Sequence, residues 1–215
     1  MKVKSFFNIS IINTIRFNLR YFGKNGLRFP VIIAKNIILK NMRGRVQLES
    51  YKTGNVQIGF DGTGICDVRK QRGIWYVAGN IFLGENIKIA AGVKISIGES
   101  ATLKIKRESS ININSQIICM DEINIGEKVI VSWDDLIMDS DFHAIKEHSI
   151  LNDLSKKIYI DNEVWIGCRT IILKGVHVPE GSVVAAGSIV TGKYEEKNCL
   201  ICSNGIKKHN ISWVR

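Results

Sequence analysis

The sequence is poor in proline, modest in cysteine and free of long apolar runs. Its 215 residues include only 2 prolines, which excludes a proline-rich linker protein. The 5 cysteines are odd in number and too few for a disulfide-built scaffold, and they fit a reducing compartment. No run of 18 apolar residues occurs, which excludes a bilayer-spanning helix. At 45% hydrophobic and 23% charged residues, the chain is typical of one folded domain with at most an appendage.

Acidic residues are missing from the start of the chain, where Glu49 is the first. The preceding segment, residues 1–45, holds ten basic side chains, and the remaining 170 residues carry 20 basic and 20 acidic groups. The net charge of +10 therefore belongs to a basic N-terminal segment on a neutral body. Because neither an aromatic-basic stacking module nor a DNA-binding helix pair is visible, we predict no nucleic-acid partner.

The N-terminal segment predicts a helix that ends near Gly23 or Gly26. Asn8, Ser10 and Asn13 interrupt its apolar stretch, so it does not resemble a signal peptide. Two interpretations stay open: a cap that packs its apolar stripe over the end of the main domain, or a basic amphipathic helix through which residues 1–25 rest on an anionic membrane surface. The apolar residues at helical spacing are Phe7, Ile11, Ile12, Ile15, Leu19 and Phe22.

A six-residue repeat is the strongest signal in the sequence. From Ile160 onward an apolar residue returns at every sixth position, and a small or β-branched residue follows four positions later. Related hexads occur upstream as LGENIK, IAAGVK and IGEKVI. This period is typical of a hexapeptide parallel β-helix. The leading positions are Ile160, Ile166, Ile172, Val178, Val184 and Val190, and the small positions are Val164, Thr170, Val176, Ser182 and Ser188.

The spacing predicts an all-β solenoid in which each hexad forms one short strand and a corner. Three hexads close a triangular coil of about eighteen residues, whose leading side chains stack about 4.8 Å apart. We predict a basic and partly helical segment over residues 1–45, the β-helix over 46–194 and a tail over 195–215. Residues 142–157 break the repeat before it resumes, which predicts a protruding functional loop.

Several motifs resemble the hexapeptide-repeat acetyltransferases, closest to the branch that O-acetylates sugars and surface polysaccharides. They are DSDFH at 139–143, VWIG at 164–167, ILKGV at 172–176 and VVAAGSIVTG at 183–192, and the ending CLICSNGIKKHNISW resembles the family's usual close. The resemblance covers about residues 79–213. It implies a left-handed β-helix, a homotrimer with active sites between neighbouring subunits, and acetyl-CoA as the donor.

His143 is the candidate catalytic residue, because it stands at the mouth of the loop and matches the family's catalytic histidine. An acceptor hydroxyl needs a positioned base, and an imidazole with an ordinary pKa near 6.5 suits that task. Alternation along a strand would place Asp139 and Asp141 on the same side as His143, where one carboxylate could orient the imidazole and another could bind the acceptor. Trp133 is a candidate for sugar stacking or for packing.

The donor site is predicted from small residues at the corners and from nearby basic residues. The resemblance suggests that Trp165 lines the coenzyme tunnel, and small residues would let a pantetheine arm lie against exposed backbone amides. Lysines near the C-terminus are candidates for the phosphates of the coenzyme. The predicted donor-binding residues are Trp165, Gly167, Cys168, Ala185, Ala186, Thr191, Lys193, Lys207 and Lys208.

The function predicted from these residues is acetyl-CoA-dependent O-acetylation of a sugar hydroxyl in cell-surface polysaccharide biosynthesis. The predicted location is cytoplasmic, including the inner face of the membrane. Alternatives left open are a sugar N-acetyltransferase, a non-catalytic hexapeptide scaffold and a nucleophilic role for Cys168. A zinc enzyme of this fold would need three convergent imidazoles. Since no histidine precedes His143, and Cys199 with Cys202 forms only a lone pair, we predict no metal.

Overall fold

A computed structural model describes residues 8–61, 63–64, 66–68, 70–147 and 150–214. It begins with one α-helix, α1, and a 3-10 helix, which precede a series of short strands. The elements are α1 (Ile11–Phe22), the 3-10 helix (Gly23–Arg28), β1 (Val31–Ile33), β2 (Ile37–Asn41), β3 (Arg45–Leu48), β4 (Val56–Phe60), β5 (Gly73–Val77), β6 (Asn80–Leu83), β7 (Ile87–Ala90), β8 (Lys94–Ile97), β9 (Thr102–Ile105), β10 (Ser110–Ile111), β11 (Gln116–Cys119), β12 (Glu122–Ile125), β13 (Ile130–Val131), β14 (Leu136–Met138), β15 (Lys146–Glu147), β16 (Ile150–Leu151), β17 (Ile158–Ile160), β18 (Trp165–Ile166), β19 (Ile171–Ile172), β20 (His177–Val178), β21 (Val183–Val184), β22 (Ile189–Val190), β23 (Leu200–Cys202) and β24 (Gly205–Lys208).

The strands stack into three sheets that form the walls of a triangular prism. Sheet 1 has the order β1-β4-β7-β10-β13-β18-β21-β23-β24, sheet 2 the order β2-β5-β8-β11-β14-β19-β22, and sheet 3 the order β20-β17-β12-β9-β6-β3. The chain visits sheets 1, 2 and 3 in turn, so each circuit makes one coil with corners 1/2, 2/3 and 3/1. Pairing between coils is parallel, and the structure confirms the predicted β-helix.

The six-residue repeat places its leading side chains inside the prism. All six leading residues from Ile160 to Val190 are buried, and so are the five small or β-branched residues that follow them. Trp165 pairs with Val183, and Ile171 pairs with Ile189, so each coil here spans the predicted eighteen residues. Burial of one aliphatic side chain per hexad gives a continuous apolar column along the axis.

Upstream coils are longer, and the solenoid begins earlier than predicted. Ile111 pairs with Val131, twenty residues on, and Ile89 pairs with Ile111, twenty-two residues on. The extra residues lie in the corners, which is why the period of six is harder to read there. Both β1 and β2 already belong to the stacked sheets, so the first coil starts at Val31, upstream of the predicted boundary at residue 46.

Helix α1 covers the first open edge of the prism with polar side chains. The Asn18 side chain accepts a hydrogen bond from the Val31 amide at 3.1 Å and donates to the Val31 carbonyl at 2.6 Å. The Thr14 hydroxyl likewise accepts from the Ile33 amide at 3.1 Å and donates to its carbonyl at 3.4 Å. These bonds satisfy backbone groups of β1 that have no preceding strand.

The face that α1 buries differs from the predicted apolar stripe. Thr14, Phe17, Asn18 and Phe22 are buried, whereas the predicted stripe residues Ile11, Ile12, Ile15 and Leu19 are exposed. Of the two interpretations left open, the cap is right about the position of the helix but wrong about the buried side, since only Phe22 of the described stripe residues is buried. An open strand edge requires hydrogen-bonding partners, which aliphatic side chains do not supply. Phe7 lies outside the described residues. Within the described part of the chain, neither helix has the length and hydropathy needed to cross a bilayer.

The C-terminal residues fold back over the last coils. Strand β24 pairs antiparallel with β23, and the chain then runs along corner 3/1 towards earlier coils. The Trp213 indole N–H donates to the Glu163 carbonyl at 2.8 Å, and its ring lies 6.0 Å from that of Trp165. The tail thus covers part of sheet 1 beside a predicted donor-binding residue.

Candidate active site

The loop between β14 and β17, residues 139–157, is an antiparallel hairpin that leaves the prism at corner 2/3. At its base the Lys156 amide donates to the Asp139 carbonyl at 3.0 Å, and the Asp141 amide donates to the Leu154 carbonyl at 3.0 Å. Further out, β15 pairs antiparallel with β16. The structure therefore confirms the protruding loop, which begins three residues before the predicted position.

The hairpin exposes an unusual amount of apolar surface. The exposed side chains are Phe142, Ile145, Ile150, Leu151 and Leu154. No described part of the same chain covers them. Contiguous exposed apolar surface of this kind is typical of a segment that packs against another molecule.

Lys174 fixes the loop to the coil beneath it. Its ammonium group lies 2.6 Å from a carboxylate oxygen of Asp141 and also donates to the Asp153 carbonyl. The Lys174 side chain is only 18% exposed, so the ion pair is partly shielded from water. No role was predicted for Lys174 from the sequence, although it lies in the ILKGV motif. Ile137 pairs with Ile172 in the next coil, so Lys174 occupies the position that corresponds to Asp139.

Asp139 supports a turn and does not orient His143, which corrects the role predicted from alternation. Its carboxylate is fully buried and accepts from the Met120 amide at 2.7 Å and from the Asp121 amide at 2.9 Å. Burial raises the pKa of this carboxyl group, while the two amide bonds oppose that shift. Because each oxygen is held by the preceding coil, Asp139 contributes to the rigidity of the loop base.

His143 projects from the loop into solvent. Phe142, directly before it, has a φ of 61°, which breaks the extended alternation that would have placed Asp141 and His143 on one side. The imidazole makes no hydrogen bond or ion pair to a described residue of the chain. Its side chain is exposed, so it is accessible to groups from outside this chain.

Several predicted residues come together at corner 1/2. The pairing of Val131 with Ile166, and of Ile166 with Val184, places Trp133, Cys168 and Ala186 at the same corner position of three successive coils. Trp133 is half-buried and packs on the core, which favours the packing role. The Trp165 indole N–H donates to the Ser132 hydroxyl at 3.1 Å, so this side chain lies over sheet 1 next to the same corner.

The small residues at this corner allow close backbone approach. A Cβ atom at Gly167 would lie 2.6 Å from the Ala186 nitrogen, so Gly167 is required by coil packing. Ala186 and its neighbour Gly187 are exposed, and Ala185 is half-buried. The amides of Cys168 and Ala186 donate to no described backbone carbonyl, which leaves hydrogen-bond donors available at this corner.

The remaining predicted residues lie elsewhere. Thr191 and Lys193 are exposed at corner 2/3 of the last coil. The backbone of Lys193 forms an isolated parallel β-bridge with His177 of sheet 3. Lys207 and Lys208 are exposed on β24, at the end of sheet 1. The candidate residues thus form two sets on different corners, with His143, Asp141 and Lys193 near corner 2/3 and the small residues near corner 1/2. The full width of sheet 2 separates them within one chain.

A groove on sheet 3 adjoins the loop base and was not anticipated. It has a volume of about 630 Å³ and is lined in part by Tyr159, Asp161, His177 and Lys193. The His177 Nε2 atom lies 2.9 Å from an Asp161 carboxylate oxygen. Within the described ranges, no group of three or more histidine, cysteine, aspartate or glutamate side chains is arranged to hold a metal ion. His148, which follows His143 with four residues between them, lies outside those ranges.

Two relatives in sequence are informative, although no family model matches the chain. A protein of Klebsiella pneumoniae, described as an uncharacterized 24.8 kDa protein in cps region, is 32% identical over 217 aligned positions, covering 94% of this chain and 87% of that protein. The galactoside O-acetyltransferase of Escherichia coli K12 is 30% identical over 116 residues, covering 51% of this chain and 53% of that enzyme. The chain therefore matches about half the length of the latter.

Two solved structures share the fold. The polysialic acid O-acetyltransferase OatWY is similar with a TM-score of 0.54 and 25% identity, covering 86% of this chain and 87% of that one. The N-acyltransferase AntD of Bacillus cereus, solved in complex with dTDP and 3-hydroxybutyryl-CoA, is similar with a TM-score of 0.55 and 16% identity, covering 96% of this chain and 90% of that one. At 16% identity, the second likeness concerns the fold alone.

The solenoid, its projecting loop and these likenesses define an acyltransferase built on a left-handed parallel β-helix. The homologues of the chain are O-acetyltransferases of the hexapeptide-repeat family, and its structural neighbours match that family. The named relatives support acetyl transfer in a polysaccharide-related context.

Proposed function

We propose that the protein is an acetyl-CoA-dependent O-acetyltransferase that modifies a sugar hydroxyl during cell-surface polysaccharide biosynthesis, with His143 as the general base. The observation that carries this proposal is the separation of the two candidate sets on one prism. The exposed base projects from corner 2/3, whereas free backbone amides and small residues lie at corner 1/2. A second subunit is the simplest means of bringing such sets together.

We propose a homotrimer in which the loop of one subunit reaches the corner of the next. Two surfaces support this assembly: the exposed apolar side chains of the loop, and the outer face of sheet 2. On sheet 2, Leu136, Ile171 and Ile189 stack on one another in the last three strands; Ile189 is 49% exposed, and Leu136 and Ile171 are half-buried. Aliphatic columns of this kind are typical of the buried centre of a subunit interface.

Acetyl transfer would then proceed in one direct step. The His143 imidazole accepts the proton of the acceptor hydroxyl as the hydroxyl oxygen bonds to the acetyl carbon. The carbon–sulfur bond breaks, and the imidazolium returns the proton to the departing thiolate to give free coenzyme A. An exposed amide at Cys168 or Ala186 would stabilise the negative charge that develops on the acetyl oxygen.

The donor would lie along corner 1/2, where Ala185, Ala186 and Cys168 leave room for a pantetheine arm. Trp165 offers an aromatic wall that its bond to Ser132 holds in place. Lys207 and Lys208, on the same sheet as Trp165, are the candidates for the coenzyme phosphates because their ammonium groups are exposed. Thr191 and Lys193 would approach the donor only across the subunit boundary.

We place this activity in the cytoplasm, near the inner face of the membrane. All five cysteines are free, which suits a reducing compartment. A polysaccharide intermediate attached to a lipid carrier would be the acceptor class at that location.

The test is coenzyme A release from acetyl-CoA, followed by thiol titration with a panel of sugars. We expect acceptor-dependent release that falls by about 10² or more in His143→Ala. His209→Ala is the matched control, because His209 is also exposed but pairs with Glu196 in the tail. Its activity should equal that of the wild type.

Product analysis separates the alternatives. An ester that hydroxylamine cleaves identifies O-acetylation, whereas an amide identifies a sugar N-acetyltransferase. Wild-type rates in His143→Ala would remove His143 as the base and make Cys168 the next residue to test. If no sugar of the panel supports release, and acetyl-CoA does not bind by calorimetry, the scaffold alternative replaces the proposal.

A further inference from the structure

The outward face of α1 combines exposed aliphatic side chains with basic ones. Ile11 and Ile12 are 70% and 79% exposed, and Ile15 and Leu19 continue the same side of the helix one turn apart. The 3-10 helix adds Leu27, which is 65% exposed. We propose that this face, defined as Ile11, Ile12, Ile15, Leu19 and Leu27, is a docking surface for an anionic lipid bilayer.

The structure fixes the orientation of this face. On its opposite side α1 is held by Thr14 and Asn18, which bond to β1, and by Phe17, which is buried against Trp75. The helix therefore keeps its buried side towards the prism and its aliphatic side towards solvent. A bilayer would receive the aliphatic side chains without any unfolding of the cap.

Charge complementarity identifies the bilayer as anionic. Arg16 and Arg20 come directly after Ile15 and Leu19 on α1. Lys24 and Arg28 lie in the 3-10 helix, before and after Leu27. No acidic residue precedes Glu49, so no carboxylate close in sequence neutralises these basic side chains. Each basic residue near an anionic membrane surface adds to the attraction between helix and bilayer.

A second copy of the chain fits this face less well than lipid does. Two such faces would bring their arginines and lysines together, and like charges repel across an interface. Aliphatic surface for contact between copies is also available on sheet 2 and on the loop. The proposal makes the suggested membrane location specific, but it does not depend on acetyl transfer, because the face lies on the cap and contains none of the candidate site residues.

The experiment is co-sedimentation of the full-length protein with vesicles of phosphatidylcholine, either pure or mixed with phosphatidylglycerol. We expect binding to the mixed vesicles only, weakened at salt above about 0.5 M. The variant Ile12→Ser/Ile15→Ser/Leu19→Ser should lose about tenfold or more of that binding. A control variant, Met120→Ser/Val214→Ser, removes two exposed apolar side chains outside α1, the loop and the proposed subunit interface, and should bind as the wild type does.

A second variant, Arg16→Gln/Lys24→Gln/Arg28→Gln, keeps the aliphatic face and should also bind about tenfold more weakly. Arg20 is left unchanged because it donates to the Arg43 carbonyl. Far-ultraviolet circular dichroism and thermal melting verify that each variant is folded. The proposal is overturned if the wild type ignores anionic vesicles, or if both α1 variants bind them normally. A change in oligomeric state of the aliphatic variant, measured by ultracentrifugation, would assign the face to a second copy instead.

Discussion

Lys174 and Asp141 form an ion pair, 2.6 Å long, between one coil and the loop that leaves the coil above it. The same ammonium group also donates to the Asp153 carbonyl on the returning limb of the loop. One side chain thus holds both limbs of the hairpin that carries His143. The position of the proposed base is therefore set by a residue that sequence motifs did not identify.

We expect Lys174→Met to release the loop from the prism. The pair is partly shielded, so its loss should lower the free energy of unfolding by about 1–2 kcal/mol and increase hydrogen exchange across residues 142–157. The control is Lys156→Met, whose pair with Asp153 is 3.4 Å long and exposed, and whose loss should cost less than about 0.5 kcal/mol. Equal exchange in the two variants would contradict the role given to Lys174.

Asp135 makes the stability of the fold depend on pH. Its carboxyl group is buried beneath corner 1/2, where one oxygen accepts from the Thr170 amide at 2.7 Å and the other has no partner among the described residues. Burial raises the pKa of this group from 3.8 to about 7. Folding therefore favours the protonated form. The stability that this group contributes is complete below about pH 3.8 and is lost as the pH rises through about 7.

We expect Asp135→Asn to stabilise the protein in alkaline solution. Asparagine retains an acceptor for Thr170 and carries no charge to bury, so the free energy of unfolding at about pH 8 should rise by about 2–4 kcal/mol. Little change is expected at about pH 4, where the wild-type group is largely neutral. Urea titrations at both pH values measure the difference. Asp134→Asn, at the exposed neighbouring position, should show no such pH dependence.

Two glycines at the same corner should respond differently to alanine. At Gly167 a Cβ atom would meet the backbone of Val184 and Ala186 within 3 Å, and backbone cannot move aside cheaply. We expect Gly167→Ala to cost more than about 2 kcal/mol. At Gly187 no atom lies within 4 Å, and only its φ of 71° opposes alanine, which costs about 1 kcal/mol. Chemical denaturation of the two variants gives the comparison, and equal losses would disprove it.

Asn18 should be among the most sensitive residues of the cap. Its replacement by leucine leaves the amide and the carbonyl of Val31 without partners in a buried place, at a cost of about 2–4 kcal/mol. Asn13→Leu is the control, because Asn13 makes a single long bond of 3.3 Å to the Ile37 carbonyl. Thermal melting should separate the two variants clearly. If Asn18→Leu were as stable as the wild type, the bonds between Asn18 and Val31 would contribute nothing to holding the cap.

The six-residue period predicted which side chains are inside the prism, because stacking in register leaves one orientation per hexad. The period of six is kept from Ile160 to Val190, where each coil has eighteen residues. It is lost upstream, where the corners contain extra residues. The role of Lys174 was not predicted, because the long loop separates it in sequence from Asp139, its neighbour one coil away; the pairing of Ile137 with Ile172 is needed to relate the two. The motifs identified His143 as the candidate base, which stays a prediction. Alternation failed at Phe142, because no local pattern indicates its positive φ.

The interpretation that packs the apolar stripe of α1 against the prism fails for a related reason. Apolar periodicity identifies a helix, but it ranks Ile11 and Ile12 above Thr14 and Asn18 as core residues. The structure reverses that order because the partner of the helix is a bare strand edge. The unpaired amides and carbonyls of that edge can be identified only once the first coil is known to start at Val31.

The two ends of the stacked sheets also determine how long this structure can grow. A parallel stack with bare ends is a template on which further strands, including those of other molecules, can add indefinitely. Here Asn18 and Thr14 occupy the first edge, and the reversed strand β24 closes sheet 1 at the other. The cap and the tail therefore block the addition of further strands at the two ends of sheet 1, which keeps the solenoid from extending into a fibre.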